Sequence, residues 1–370
     1  MSFVVQFSDS FPLADLERVG ALLEPSDVFV SGYIAPEVGL YHVGAHLYSN
    51  HVEGNSTVML PDRNIVSRVA KMADGFEVGR QERLVAGVLG FAQCLEIQIE
   101  PSIAYHELGP SQGNAAAYEE LARFRLADSS EPRAWIDVAL GRRSVIPYLG
   151  EPTAIADTRD LTRPLHRWRC NYIAALKMGQ LELLSLSPVE RAIAFFEWMR
   201  DDFILAGPAA VFACHYFAPS FPRRGLLKGL RSEQRQRALS GAANAAWDIT
   251  HLSEFVRLAN ASHGTSDRYI FASLDEGLRK VARTLLLATV EASALSQFAS
   301  ALVAWWPKES ALAIACSLFD TFQNARESSW FERHRDSSLE IPRLISTGED
   351  CLRSWSPKSV RSAQLRPVEK

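Results

Sequence analysis

Apolar positions along this 370-residue chain alternate between short unbroken runs and stretches of helical spacing, the pattern of strands feeding helices. The spacing predicts a helix over Leu13 to Leu23 and a strand over Val28 to Ile34. A strand at 57–61 is followed by a helix from Ile65 to Met72, and Leu84 to Leu95 reads as an apolar helix. A strand is expected over Ile97 to Tyr105, running into His106-Glu107-Leu108-Gly109-Pro110, with a helix over Ala115 to Leu126. Ser129-Ser130-Glu131-Pro132 should break that helix. From about 130 to 225 the pattern is helical but interrupted by prolines, and Pro188 opens a periodic apolar run to Leu205. A long helix follows from about Ser232 to Ala261, then a strand at 268–273 and a helix opened by Leu274-Asp275-Glu276-Gly277-Leu278. The rest is mostly helical, ending in a polar, basic tail from about 355.

Composition adds boundaries. The chain is 47% hydrophobic and 22% charged, which is ordinary globular usage. Net charge is −4, so binding to nucleic acid would need a local basic surface. Cys94, Cys170, Cys214, Cys316 and Cys351 lie far apart and form no CxxC pair, which argues against a disulfide framework or a structural zinc site. Met1 to Val5 lacks a basic segment leading into a long apolar core, so no secretory signal is expected. Leu285 to Trp306 is too interrupted by polar residues to span a membrane. The expectation is a cytoplasmic protein. No Walker loop, dinucleotide fingerprint or nucleophile elbow appears.

Four acids stand near element ends: Asp62 after the first buried strand, Glu107 after the next, Asp248 on the long helix and Asp275 after the late strand. Ligand sites in open α/β sheets lie beyond the carboxyl ends of the strands. Hard Mg²⁺ or Mn²⁺ ions take carboxylate oxygens and need no histidine or thiolate. Each acid also has a plainer reading. Asp62 and Asp275 are of the helix-capping type, Glu107 suits a helix start, and Asp248 suits a helix surface. Glu119 and Glu120 read as a solvated helix face.

The run Leu60-Pro61-Asp62-Arg63-Asn64-Ile65-Val66 resembles the opening motif of PIN-domain nucleases. Ile99 to Leu108 resembles their second motif, Ala246-Trp247-Asp248-Ile249 the third, with an aspartate opening a helix, and Phe271-Ala272-Ser273-Leu274-Asp275 the fourth. The resemblance implies an α/β fold with a mostly parallel PIN-like sheet flanked by helices. It divides the chain into an α/β leader (1–55), a nuclease core (56–128 and 235–290), a helical insertion (129–234) and a helical C-terminal region (291–370). It implies a Mg²⁺- or Mn²⁺-dependent endonuclease, a ribonuclease by preference, with Asp62, Glu107, Asp248 and Asp275 as catalytic metal ligands. Asn64 would brace Asp62, and Ser273 would stand for the family's hydroxyl residue. Arg63 departs from the family's small hydroxyl residue, and the interval between the second and third motifs is unusually long.

Arg223, Arg224, Lys228, Arg231, Arg235 and Arg237 face a single acid, Glu233, and with Arg63 form a candidate path for a phosphate backbone. A solvated helix face is the plainer reading of the same charges. His42, His46 and His51 lack thiol partners and read as ordinary histidines. His106 adjoins Glu107. The expected partner is nucleic acid, RNA before DNA, with an inhibitory protein or a second copy of the chain as further candidates. The competing reading is a PIN-like scaffold without catalysis, binding protein or RNA as a regulatory subunit. Toxicity, phage defence and RNA processing stay open as roles.

Overall fold

The computed structural model describes residues 11–32, 39–156, 159–222, 226–287, 293–325 and 340–356. The chain is mixed α/β and forms two compact units: residues 1–163 with 257–279, and residues 164–256 with 280–370.

The first unit is built on a four-stranded sheet. Its helices are α1 (Leu13–Leu23), α2 (Val43–His51), α3 (Arg63–Ala73), α4 (Arg80–Cys94), α5 (Ser102–Asp128) and α6 (Pro132–Ala139). Its strands are β1 (Phe29–Ser31), β2 (Ser56–Pro61), β3 (Gln98–Ile99) and β4 (Asp267–Ala272), in the order β1-β4-β2-β3. The β2–β4 and β2–β3 pairs are parallel and the β1–β4 pair is antiparallel. This matches the mostly parallel sheet expected from sequence. β2 therefore runs between two parallel neighbours, and its last three residues, Met59, Leu60 and Pro61, are buried. Proline is tolerated at Pro61 because the strand ends there and Asp62 resumes the ladder, its N–H donating to the Ala272 carbonyl at 2.8 Å.

The amphipathic stripe of α3 buries Ile65, Val66, Val69, Ala70 and Met72, spaced as one helical face requires. They join a core with Leu16, Val19 and Leu23 of α1, Phe91 of α4 and Tyr105 and Phe124 of α5. Helix α5 is interrupted at Gly113, whose φ of 88° and ψ of 166° lie outside helical space. Pro110, three residues earlier, removes a backbone donor at the same break.

Several expectations shift. The second strand is much shorter than the predicted 97–105, because Pro101 ends it and Ser102 starts α5, its N–H held by the Glu100 carboxylate at 2.9 Å. Within the expected leader (1–55), Phe29–Ser31 supply β1 to the common sheet. Residues 129–163 belong to the first unit, with Trp135 and Ile136 of α6 in its core. Tyr33 and Ile34 of the predicted first strand, and nearly all of the basic tail, lie outside the described residues.

The second unit is helical. It contains α7 (His166–Leu183), α8 (Pro188–Asp201), α9 (Gly207–Tyr216), α12 (Ala294–Leu302), α13 (Lys308–Asn324) and α14 (Ile341–Ser354). It also holds most of α10 (Arg235–Ala261) and of α11 (Glu276–Leu287). The helix expected at Pro188 starts there, capped by Ser187, whose hydroxyl accepts from the Glu190 N–H while the Glu190 carboxylate takes the Ser187 N–H. A buried Glu182 binds Arg191 at 2.8 Å and Arg231 at 3.2 Å. Among the described residues, no helix is long and apolar enough to cross a membrane.

Candidate metal centre

Asp62 sits where β2 gives way to α3, in the N-cap position, with extended backbone (φ −68°, ψ 157°). Aspartate at that position ordinarily turns its carboxylate back onto the helix N–H groups. Here the side chain makes no capping bond. Its Oδ2 instead accepts from the Ser273 hydroxyl at 2.7 Å and the Asn64 amide at 2.5 Å. Asp62 is 5% exposed and Ser273 is fully buried, so this carboxylate is held by the protein in a chosen orientation.

The parallel register brings these groups together. β2 and β4 end side by side, Pro61 opposite Ala272, so the residues just beyond each strand, Asp62 and Ser273, are neighbours although 211 positions apart. Asn64 joins the two strand ends a second time: its Nδ2 lies 3.3 Å from the Ser273 oxygen and its Oδ1 accepts the Leu274 N–H at 3.1 Å. Behind the turn, buried Arg279 donates to the carbonyls of Ser273 (2.8 Å) and Ser26 (3.0 Å).

Glu107 comes from α5. A carboxylate oxygen of Glu107 and one of Asp62 lie within 4.8 Å of each other, close enough to share a cation. Carboxylates at that separation repel one another unless a positive charge lies between or beside them. Carboxylate oxygens are hard ligands of the kind that divalent cations take.

Positive charge also comes from the protein. Arg63, the first residue of α3, forms a two-pronged pair with Glu120 on the second segment of α5, at 2.5 and 2.8 Å. Burial opposes the charge on Arg63, but the hydrogen bonds and charge of Glu120, then Glu107 and Tyr105, hold its pKa above the ordinary value. Tyr105 is 1% exposed, and its hydroxyl has no hydrogen-bond partner among the described residues. Burial pushes the Tyr105 phenol far up, with Glu120 adding to the effect and Arg63 and Arg125 opposing it. Burial holds the His106 imidazole below its ordinary range, and Arg159 adds to that.

The other two expected ligands, Asp248 and Asp275, have the following local settings. Asp275 caps α11: its Oδ1 accepts the Leu278 N–H at 3.0 Å, and its own N–H donates to the Ser273 hydroxyl at 3.0 Å. The plainer reading of Asp275 therefore describes its carboxylate. Asp248 belongs to the second unit and lies half-buried inside α10, well past the helix start at Arg235, so it does not open a helix as the third motif would require. Of the basic stretch, Arg223 and Arg224 lie outside the described residues. Arg231 binds Glu182, and Arg235 donates to the carbonyls of Leu230, Ser232 and Leu352 while lying 4.8 Å from the Trp355 ring centre. Those two guanidiniums hold the helical unit together, whereas Lys228 and Arg237 are exposed.

Glu120, expected on a solvated helix face, instead pairs with Arg63, and Tyr105 and Arg279 carry no motif that would single them out. Glu120 sits in a helical stretch with Glu119 beside it, and its partner is 57 residues away, so nothing local marks it. An unmatched arginine at a strand end was the available signal. No protein-family model, curated protein or solved structure matches the chain.

Proposed function

We propose that the first unit is a Mg²⁺- or Mn²⁺-dependent phosphodiester hydrolase acting on single-stranded nucleic acid, RNA by preference. The observation that carries the reading is the Asp62 carboxylate, turned away from its helix, fixed by Ser273 and Asn64, and within 4.8 Å of a Glu107 carboxylate oxygen. A capping aspartate would need none of this. The preference for nucleic acid rests on the motif resemblance around Asp62, Glu107 and Ser273, and the preference for RNA on family analogy alone.

In this account Asp62 and Glu107 hold the cation. A bound divalent ion would supply an activated water and charge stabilisation for the leaving oxygen. Ser273 and Asn64 keep the Asp62 carboxylate from rotating, which matters because small misplacements of a site cost large factors in rate. Arg63 supplies a fixed positive charge beside the acids, suited to a phosphate oxygen.

The test is cleavage of end-labelled single-stranded RNA and DNA with Mg²⁺, Mn²⁺ or chelator. Wild-type protein should cleave with metal, and Asp62→Asn should abolish cleavage with an unchanged circular dichroism spectrum. Undiminished metal-dependent cleavage by Asp62→Asn rules the reading out. A second reading, a binding scaffold without catalysis, is favoured by the capping role of Asp275 and the engagement of Arg63 by Glu120. It predicts no cleavage by wild-type protein under any of these conditions.

A further inference from the structure

Away from the strand ends, the first unit contains a cavity of about 680 Å³ between α1, the start of α4 and the end of α6. Its lining divides sharply by chemistry. Arg18, Arg80 and Arg83 supply three guanidinium groups, while Leu22, Leu84 and Leu140 supply an aliphatic wall. Among the described residues, no carboxylate lines it. Arg18 has a partner in Asp15 at 3.5 Å, but Arg80 and Arg83 form no ion pair among the described residues. Asp15 also binds Arg133 and Arg142, and Asp137 binds Arg142 and Arg143. The lining thus carries three positive charges in a chain whose net charge is −4.

The cavity is held open by packing. At Gly87 an added Cβ would meet Leu23 at 3.2 Å, Val19 at 3.4 Å and Ala139 at 3.6 Å, so α1, α4 and α6 are fixed against one another beneath it. Gly141 turns the chain after α6 with φ of 74°, and a Cβ there would lie 3.3 Å from the Arg83 guanidinium. Any other residue would be strained in the backbone and would crowd that arginine.

We propose that this cavity binds an amphipathic organic anion, with a phosphate or carboxylate head between Arg80 and Arg83 and an aliphatic body against Leu22, Leu84 and Leu140. Two guanidinium groups that form no ion pair among the described residues match an anion with two or more acceptor oxygens. The apolar wall is entirely aliphatic, without an aromatic ring on which a base would stack, so an alkyl or acyl body fits it better than a nucleoside. The size is within the range of small-molecule sites. This site shares no residue with Asp62, Glu107 or their supports, and it stands or falls independently of the hydrolase reading.

The experiment is calorimetric titration of the full chain with octyl phosphate kept below its micelle-forming concentration, with inorganic phosphate, and with adenosine monophosphate. Octyl phosphate should bind at least tenfold more tightly than either. The double variant Arg80→Gln/Arg83→Gln, at exposed positions, should weaken octyl phosphate at least tenfold. Ala21→Phe, which fills the cavity from an exposed position without touching its charge, should weaken it similarly. Equal affinity for inorganic and octyl phosphate would overturn the proposal, as would unchanged affinity in the double variant or tighter binding of the nucleotide.

Discussion

Ser273→Ala isolates the contact on which the orientation of Asp62 depends. The Ser273 hydroxyl is fully buried, donates to Asp62 Oδ2 at 2.7 Å, and accepts the Asp275 N–H at 3.0 Å. Hydrogen bonds to charged groups are worth about 1.5–3 kcal/mol, and an orphaned buried donor costs about 1–3 kcal/mol more. Asp62 is 5% exposed, so water does not replace the lost donor cheaply. A net cost of about 2–3 kcal/mol for opening this turn is expected. At about 1.4 kcal/mol per tenfold, amide exchange across 273–278 should accelerate by roughly thirty- to hundredfold. Asn64→Ala removes the other donor to the same oxygen, so the two substitutions should be non-additive by about 0.5 kcal/mol or more. Hydrogen-exchange mass spectrometry on peptides spanning this turn reads both effects. Exchange less than threefold faster in Ser273→Ala, with strict additivity, would refute the claim that this hydroxyl fixes Asp62.

Further expectations concern charge. Glu120→Gln leaves Arg63 without its partner, and because both side chains are about a fifth exposed the cost should be near 2 kcal/mol; Arg63→Met/Glu120→Met together should recover most of the lost melting temperature. Arg142, chiefly through hydrogen bonds, lowers the Asp15 pKa from its ordinary 3.8. The stabilisation is therefore present above pH 3.8 and lost as pH falls through the depressed value; Asp15→Asn should cost up to about 1 kcal/mol at neutral pH and nothing in strong acid, read from melting curves against pH. In the second unit, His215 is fully buried, with Nδ1 3.0 Å from the Val211 carbonyl and Nε2 3.1 Å from the Thr284 hydroxyl. Burial pushes its pKa from 6.5 down to about 4. The unfolded chain then binds more protons between those values, so stability should fall by at most about 3 kcal/mol on acidification from pH 6.5 to 4. His215→Gln should flatten that slope, and an unchanged slope in urea titrations would contradict it.

What was legible in the sequence followed physical periodicity. The strand before Asp62, the helix behind it, the late strand before Ser273 and the long helix carrying Asp248 were all marked by apolar runs or helical spacing, and each is present. Asn64 as a brace for Asp62 came from the motif resemblance, and it lies in the first turn of α3, two residues from Asp62. Ser273 also came from the motif resemblance, and it lies just beyond the end of β4. Less legible was whether an aspartate at a helix start would cap that helix. Asp62 and Asp275 have similar local contexts, yet one carboxylate is captured by tertiary donors and the other bonds the Leu278 N–H. That choice depends on the strand register, which local sequence does not encode. The strand expected over 97–105 failed for a local reason: Pro101 ends it, and α5 begins at the next residue. The Arg63–Glu120 pair joins residues brought together only once α3 and α5 pack.

The central claim is that Asp62 and Glu107 together hold a divalent cation. Electron paramagnetic resonance of free Mn²⁺, titrated into wild-type, Asp62→Asn and Glu107→Gln protein, tests it most directly. The account predicts a saturable site in the wild type and at least tenfold weaker binding in each variant. Wild-type protein that takes up no Mn²⁺, or variants that bind it as tightly as the wild type, would contradict it.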